Sequence, residues 1–347
     1  MKNSLLALAL LPVLAVAAVA QTQTTKKVKL PKSNPVPRTS SLPLGQDKIH
    51  YQQWYEGRQF SPEVKQPVRF VGLEFFGAMP SGSTLDIEVT LANASSSLSG
   101  FFAQNFVSNK VTVIPRRKIP VSGAITKLPF VIDWKYDGTS NVVLDIKMWD
   151  NGHGKSVTFA AESTVLTLSN VKRQYFIGNP NAATANSSGT TGHHGLATRF
   201  LFQEGGTYDY GAGCKGGNNI APVGSANAVP MPGLGSYEQL LTKAGSSYPC
   251  IFIVGISKTK WGTSNLPFNL AFIFAPNCNL LVSPDFYVFT TTVGGGPGTG
   301  SAKIKTPVPP LGNLGGAKVY SQWLILDKAS PNANLSATAG LMHVVGS

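Results

Sequence analysis

Residues 84–92 (TLDIEVTLA) alternate at every step, with Leu85, Ile87, Val89 and Leu91 on one side and Asp86, Glu88 and Thr90 on the other. A period of two places successive side chains on opposite faces of a pleated strand, so this segment buries one face and wets the other only as antiparallel β-structure. Ile49–Trp54, Val68–Phe76, Lys110–Ile114, Leu128–Trp134, Asn141–Trp149, Ser156–Leu168 and Leu196–Gln203 are read as further strands. Turn signals lie between them at Pro80-Ser-Gly-Ser83, Pro120-Val-Ser-Gly123, Asp137-Gly138 and Asp150-Asn-Gly-His-Gly154. No stretch of twelve or more residues sustains a 3.6-residue period, and Ser236–Ala244 is the best short helical candidate. The 36 Gly and 24 Pro suit many tight turns, because Gly supplies positive φ and Pro presets the turn φ. Strands spaced this regularly without intervening helices predict sandwiches or barrels.

The start of the chain reads as an export signal. Lys2 precedes the uncharged, Leu/Ala/Val-rich run Leu5–Ala20, and Ala18-Val19-Ala20 is a small-x-small cleavage site, so residues 1–20 read as a signal peptide and Gln21 as the first mature residue. The run is short of the roughly 20 residues that a membrane span needs. Residues 21–46 are Thr/Lys/Pro-rich and carry Lys26, Lys27, Lys29, Lys32 and Arg38 before any acid, which predicts a disordered basic linker. Within it Lys27-Val-Lys-Leu30 alternates, so the segment also reads as an arm that adds a strand to an exposed sheet edge of a neighbouring subunit. Two antiparallel, jelly-roll-like β-sandwich domains are expected to follow, at 47–206 and 207–347. The formal charge is +13, but no Arg occurs after Arg199, which argues against nucleic acid as the partner.

Three cysteines in an exported chain suggest one disulfide and one free thiol. Cys214 and Cys278 lie in polar, turn-like settings, whereas Cys250 opens the apolar run Cys250–Val254, where a small buried thiol packs well. A Cys214–Cys278 bridge is therefore preferred, although three pairings are open on sequence alone. Strands of the second half are placed at Ile251–Ile256, Asn269–Phe274, Phe286–Thr292, Ser301–Thr306, Lys318–Asp327 and Leu341–Val345.

Tyr51-Gln-Gln-Trp-Tyr55, Phe130-Val-Ile-Asp-Trp-Lys-Tyr-Asp-Gly138 and Asn141-Val-Val-Leu-Asp-Ile-Lys147 resemble the first module of a large group of uncharacterised exported proteins of planctomycete-type bacteria. The second half is similar to their C-terminal module, through Gly211-Ala-Gly-Cys-Lys-Gly216, Leu266-Pro-Phe-Asn-Leu270 and Tyr320-Ser-Gln-Trp323. Asn277 stands where the group usually has Gly, and the polar insert at 179–195 is a further departure. The resemblance implies export, two β-sandwich modules and the Cys214–Cys278 bridge, and it implies no activity.

Candidate sites are sparse. Asp150 and Asn151 are the best loop ligands for Ca²⁺ among Asp86, Asp133, Asp137, Asp145 and Asp150, but no Asp-x-Asp-x-Asp run is present. His193-His194 lacks the further ligands that Zn²⁺ needs. Gly294–Gly300 lacks the Gly-Lys-Ser/Thr ending of a phosphate loop and reads as a hairpin tip. No Gly-x-Ser-x-Gly elbow occurs, and no pair of carboxylates can be nominated for glycoside hydrolysis. Trp54, Tyr55, Trp134, Tyr136, Trp149 and Trp323 read mainly as core or edge packing. Trp261, in Lys258-Thr-Lys-Trp-Gly-Thr-Ser264, is expected to be exposed and is the candidate for sugar stacking.

The functional expectation is a non-enzymatic exported or cell-surface protein acting in adhesion or extracellular assembly. Its partners would be other copies of itself or a cell-surface polysaccharide. The alternatives are a carbohydrate-binding module and a secreted hydrolase of extracellular polymers.

Overall fold

The computed structural model describes residues 23–31, 36–61, 63–154, 157–163, 171–185, 194–311 and 314–346. Residues 1–20, expected as a signal segment, His193, and both the start and the later part of the expected strand Ser156–Leu168 lie outside them. The fold is all-β, built from antiparallel pairs, with a few short 3-10 turns.

Among the described residues twelve strands precede Gly205. They are β1 (Lys26–Leu30), β2 (Val36–Ser40), β3 (Ile49–Tyr55), β4 (Val68–Met79), β5 (Thr84–Ala94) and β6 (Ser108–Pro120). The rest are β7 (Gly123–Tyr136), β8 (Asn141–Asp150), β9 (Phe159–Ser163), β10 (Val171–Ile177), β11 (His194–Leu196) and β12 (Thr198–Glu204). One sheet runs β1-β12-β4-β7 and a second β10-β3-β8-β5-β6, while β11-β9-β2 forms a smaller third. The two larger sheets face each other across one core. Leu85, Ile87, Val89 and Leu91 enter it from the alternating strand, beside Ile49, Tyr51, Tyr55, Leu144 and Ile146. Phe70, Phe75, Trp134, Tyr136, Phe200 and Phe202 fill it from the other sheet, where Phe70 stacks with Trp134 and Tyr136 and meets Phe202 edge to face.

The segment expected to be a disordered linker is in part structured. β1 pairs with β12 of the same chain in the register Lys26↔Phe202 to Leu30↔Thr198, and β2 pairs with β9. The alternation explains it. Val28 and Leu30 drop into the core, while Lys26 meets Glu204 at 2.6 Å and Lys27 meets Glu74 at 3.4 Å. Leu42 and Leu44 are buried as well. The arm-like strand thus occupies an edge of its own sheet.

From Gly206 the chain forms β13 (Gly206–Tyr210), β14 (Val223–Ala226), β15 (Glu238–Ala244), β16 (Pro249–Gly255), β17 (Lys260–Trp261) and β18 (Ser264–Asn265). These are followed by β19 (Phe268–Leu270), β20 (Ala275–Leu280), β21 (Phe286–Thr291), β22 (Gly300–Lys305), β23 (Lys318–Ile325), β24 (Ser336–Ala337) and β25 (Gly340–Val344). A central sheet runs β13-β25-β23-β16-β21, with β24 beside β23. Phe252, Trp323 and Ile325 on one face meet Leu241 and Ile304 of the sheet β14-β15-β22. Ile251, Ile253 and Leu324 on the other face meet a layer that holds Leu270, Leu280 and the disulfide between Cys214 and Cys278. Those two cysteines are 64 residues apart, a loop whose closure in the unfolded chain is worth about 4 kcal/mol. Cys250 is free and buried, and burial pushes its thiol up to about 11. Among the described residues strand pairing never joins the first twelve strands to the last thirteen.

Two expectations fail here. Ser236–Ala244 is not helical: Glu238–Ala244 is β15, hydrogen-bonded to β14 on one side and β22 on the other, with Gln239 and Leu241 facing inward at strand spacing. Pairing on both edges outweighs a weak local helix preference. The strand expected at Asn269–Phe274 stops at Leu270, because a 3-10 turn and Phe274 at φ 64° reverse the chain into β20.

Candidate functional site

His50, Gln52 and Trp54 occupy the alternate positions of β3 that face away from the N-terminal core, and Asp145, Lys147 and Trp149 do so on β8. β5 adds Glu88 and Thr90, and β6 adds Lys110 and Thr112. The segments Phe101–Phe106 and Asn181–Ala183 stand over this outer face and leave a cleft of about 390 Å³.

The floor of the cleft is a buried polar network. His50 Nδ1 lies 2.8 Å from the Ala182 carbonyl and Nε2 lies 2.8 Å from Asp145 Oδ2. A carbonyl only accepts, so Nδ1 is the donor in the first contact. Gln52 Nε2 donates to the same Asp145 oxygen at 2.7 Å and to the Phe102 carbonyl at 3.1 Å. Its Oε1 accepts from Asn105 at 2.8 Å and Gln174 at 3.0 Å, and the Phe102 ring stacks on the imidazole at 3.7 Å. Each member has its partners, so the network pins the two overlying segments to the sheet.

The rim carries different chemistry. Glu88 and Lys147 pair across strands at 3.4 Å, the Thr90 and Thr112 hydroxyls meet at 3.1 Å, and Lys110 sits over the Phe106 ring. Phe101 is exposed beside them. Hydroxyls, a paired carboxylate and aromatic edges suit a polyhydroxylated ligand. The two carboxylates, Glu88 and Asp145, both accept from neighbouring donors, Lys147 and Gln52. Sequence reasoning missed this site because His50 and Asp145 are 95 residues apart. The available signal was the pairing of polar alternate positions on two neighbouring strands.

The residues nominated from sequence lie elsewhere. Trp261 is 43% exposed on the small hairpin β17–β18, edge-on to Phe268. Asp150 and Asn151 turn their carboxyl and amide oxygens onto the backbone N–H groups of Gly152, His153 and Gly154, an Asx-type turn that uses these acceptors internally. Asp137 does the same for Thr139 and Ser140. Among the described residues no group of three or more His, Cys, Asp or Glu side chains converges. Trp54, Tyr55, Trp134, Tyr136 and Trp323 are buried, while Trp149 is half-buried under the Arg116 guanidinium at 4.1 Å. Gly294–Gly300 is a hairpin tip closed by the Val293↔Ser301 bridge.

A second feature lies at the rim of the central sheet. β21 is its terminal strand and pairs with β16 alone among the described residues. Its register puts Phe286 and Val288 on the face of Val254 and Phe252, and Tyr287 and Phe289 on the face of Ile253 and Ile251. All four are open to solvent: Phe286 70%, Tyr287 61%, Val288 44% and Phe289 68% exposed. Ile256, whose N–H donates to Asp285 beside the strand, and Val293 just past it are exposed too. No charged residue occurs from Phe286 to Ala302. Proteins ordinarily blunt such an edge with charge, proline or a covering segment.

Fold and sites together define an all-β, disulfide-braced protein with a polar cleft on one sheet and an unprotected apolar strand edge on another. No helix among the described residues is long and apolar enough to cross a membrane. No family model matches the chain, and no curated protein matches it. Among solved structures it is similar to the cysteine protease and lectin-like domains of a surface-layer-associated protein of Clostridium difficile. That likeness has 11% identity, covers 45% of this chain and 32% of that one, about a third of its length, and has a TM-score of 0.28. It is also similar to the T=3 nodavirus of Penaeus vannamei, at 7% identity over 100% of this chain and 97% of that chain, with a TM-score of 0.17. At such TM-scores neither likeness bears on function.

Proposed function

We propose that the protein is an exported, non-enzymatic β-sandwich protein that acts in extracellular assembly by pairing with a second copy of itself along β21. The observation that carries this reading is the bare, uncharged strand edge with apolar side chains exposed on both faces. An unpaired row of backbone N–H and C=O groups is satisfied by another strand. A second β21, brought up antiparallel about a two-fold axis, supplies the same apolar side chains and extends the sheet through both copies. The three aromatics, at roughly 150–250 Å² each when fully exposed, together with Ile256, Val288 and Val293, offer on the order of 600 Å² of apolar surface. That is most of the roughly 800 Å² that each partner contributes to a standard interface. The signal-like N-terminus and the disulfide support an oxidising compartment. Amide exchange tests the reading: residues 286–291 should become protected as protein concentration rises. Exchange independent of concentration would remove it.

The cleft favours a second reading, recognition of a surface polysaccharide, because Phe101 stands exposed beside the hydroxyl and carboxylate rim. A glycan array should then show binding that Phe101→Ala loses and Trp261→Ala keeps. Loss on Trp261→Ala alone would return the sugar site to the hairpin, and no binding at all would end this reading.

A further inference from the structure

Where β15 and the segment Thr306–Leu311 meet the central sheet, the two layers part around a half-open cavity of about 330 Å³. Phe252 and Val254 of β16, Val319 of β23, and Val308 with Leu314 make its walls apolar, and no Lys, Arg, Asp or Glu lines it among the described residues. Leu311 is exposed at its margin and leaves a way in.

Five polar side chains also line this space: Tyr237, Gln239, Thr306, Ser321 and His343. His343 is held on its Nε2 side by Ser321 Oγ at 2.7 Å and on its Nδ1 side by Tyr237 OH at 2.9 Å and Thr207 Oγ1 at 3.1 Å, so both ring nitrogens are occupied. Gln239 differs. It is buried, its Nε2 donates to Thr306 Oγ1 at 3.4 Å, and its Oε1 has no partner among the described residues. A buried amide oxygen without a donor costs free energy, and a partner that supplies the donor recovers it.

We propose that this cavity binds a neutral, largely apolar small molecule carrying one hydroxyl group, whose O–H donates to Gln239 Oε1. The chemistry selects that class. Apolar walls take the hydrocarbon body, and the unpaired oxygen takes the single donor. The lack of a cation in the lining excludes carboxylates, which would bring a second acceptor and an unpaired charge into the same place.

The full mature chain, titrated with 1-hexanol, hexanoate and toluene by calorimetry, tests the assignment. Binding of 1-hexanol at one site per chain, with hexanoate weaker by about tenfold or more, is expected. Gln239→Leu removes the unpaired acceptor and should fold at least as well, bind toluene undiminished and lose about tenfold in 1-hexanol affinity. Val254→Trp should fill the space and abolish binding of both. The proposal is overturned if the wild type takes up no 1-hexanol, or if Gln239→Leu binds it as tightly as the wild type does.

Discussion

His343 Nε2 lies 2.7 Å from Ser321 Oγ, and this contact joins β25 to β23 inside the C-terminal half. On the other side of the ring, Thr207 of β13 and Tyr237, which leads into β15, complete the attachment. Burial, with a smaller contribution from Lys135, holds the imidazole's pKa down to about 3 from its ordinary 6.5, so it is neutral in the folded protein.

The pH dependence of stability follows. Between about 6.5 and 3 the unfolded chain binds a proton at this position that the folded chain does not. Stability due to His343 is thus fully present above about pH 6.5 and falls as the pH drops, by up to about 1.4 kcal/mol per unit. Urea unfolding across that range should show the loss, and His343→Gln should flatten it. An unchanged slope in the variant would show that the imidazole is not held neutral.

Asp145 anchors the floor of the cleft through His50 and Gln52. Asp145→Leu leaves the buried Gln52 Nε2 and His50 Nε2 without their partner and should cost about 2–6 kcal/mol, from about 1–3 for each group. Asp145→Asn keeps an acceptor and should cost about 1–3 kcal/mol. In both variants the amides of 101–105 and 181–183 should exchange faster. Equal stability of the Leu variant and the wild type would mean that the network does not hold these segments.

Leu30 distinguishes an ordered leader from a flexible one. It is fully buried at the end of β1, so Leu30→Ala should destabilise the fold by about 2–5 kcal/mol in urea. A flexible linker would tolerate the change without measurable effect.

The legibility of the fold varied with how local its causes are. Thr84–Ala92 could be read in full, because each inward residue is apolar and each outward one is polar until Thr90. β1 was legible only as an alternation, since its partner β12 lies far along the chain. β10 escaped notice because Val171–Ile177 mixes Lys, Arg, Gln and aromatics without a clean period of two. β15 was mistaken because its pairing partners, not its composition, make it a strand. The disulfide was legible from the settings of three cysteines, and the exposure of Trp261 from its polar neighbours. The cleft was not, because it forms only when β3, β5, β6 and β8 lie side by side. Nor was the edge: Phe286–Phe289 reads as a buried strand, and only the strand order places it at the rim.

The most direct test of assembly through β21 is the sedimentation-equilibrium mass of the chain from Gln21 onward, wild type beside Phe289→Lys, over a wide concentration range. A lysine on this solvated strand keeps the fold while placing like charges opposite one another across the two-fold edge pairing. The account predicts a wild type that associates into dimers or larger species and a variant that stays monomeric with unchanged thermal unfolding. A wild type that remains monomeric throughout, or a variant that associates as strongly as the wild type, would contradict it.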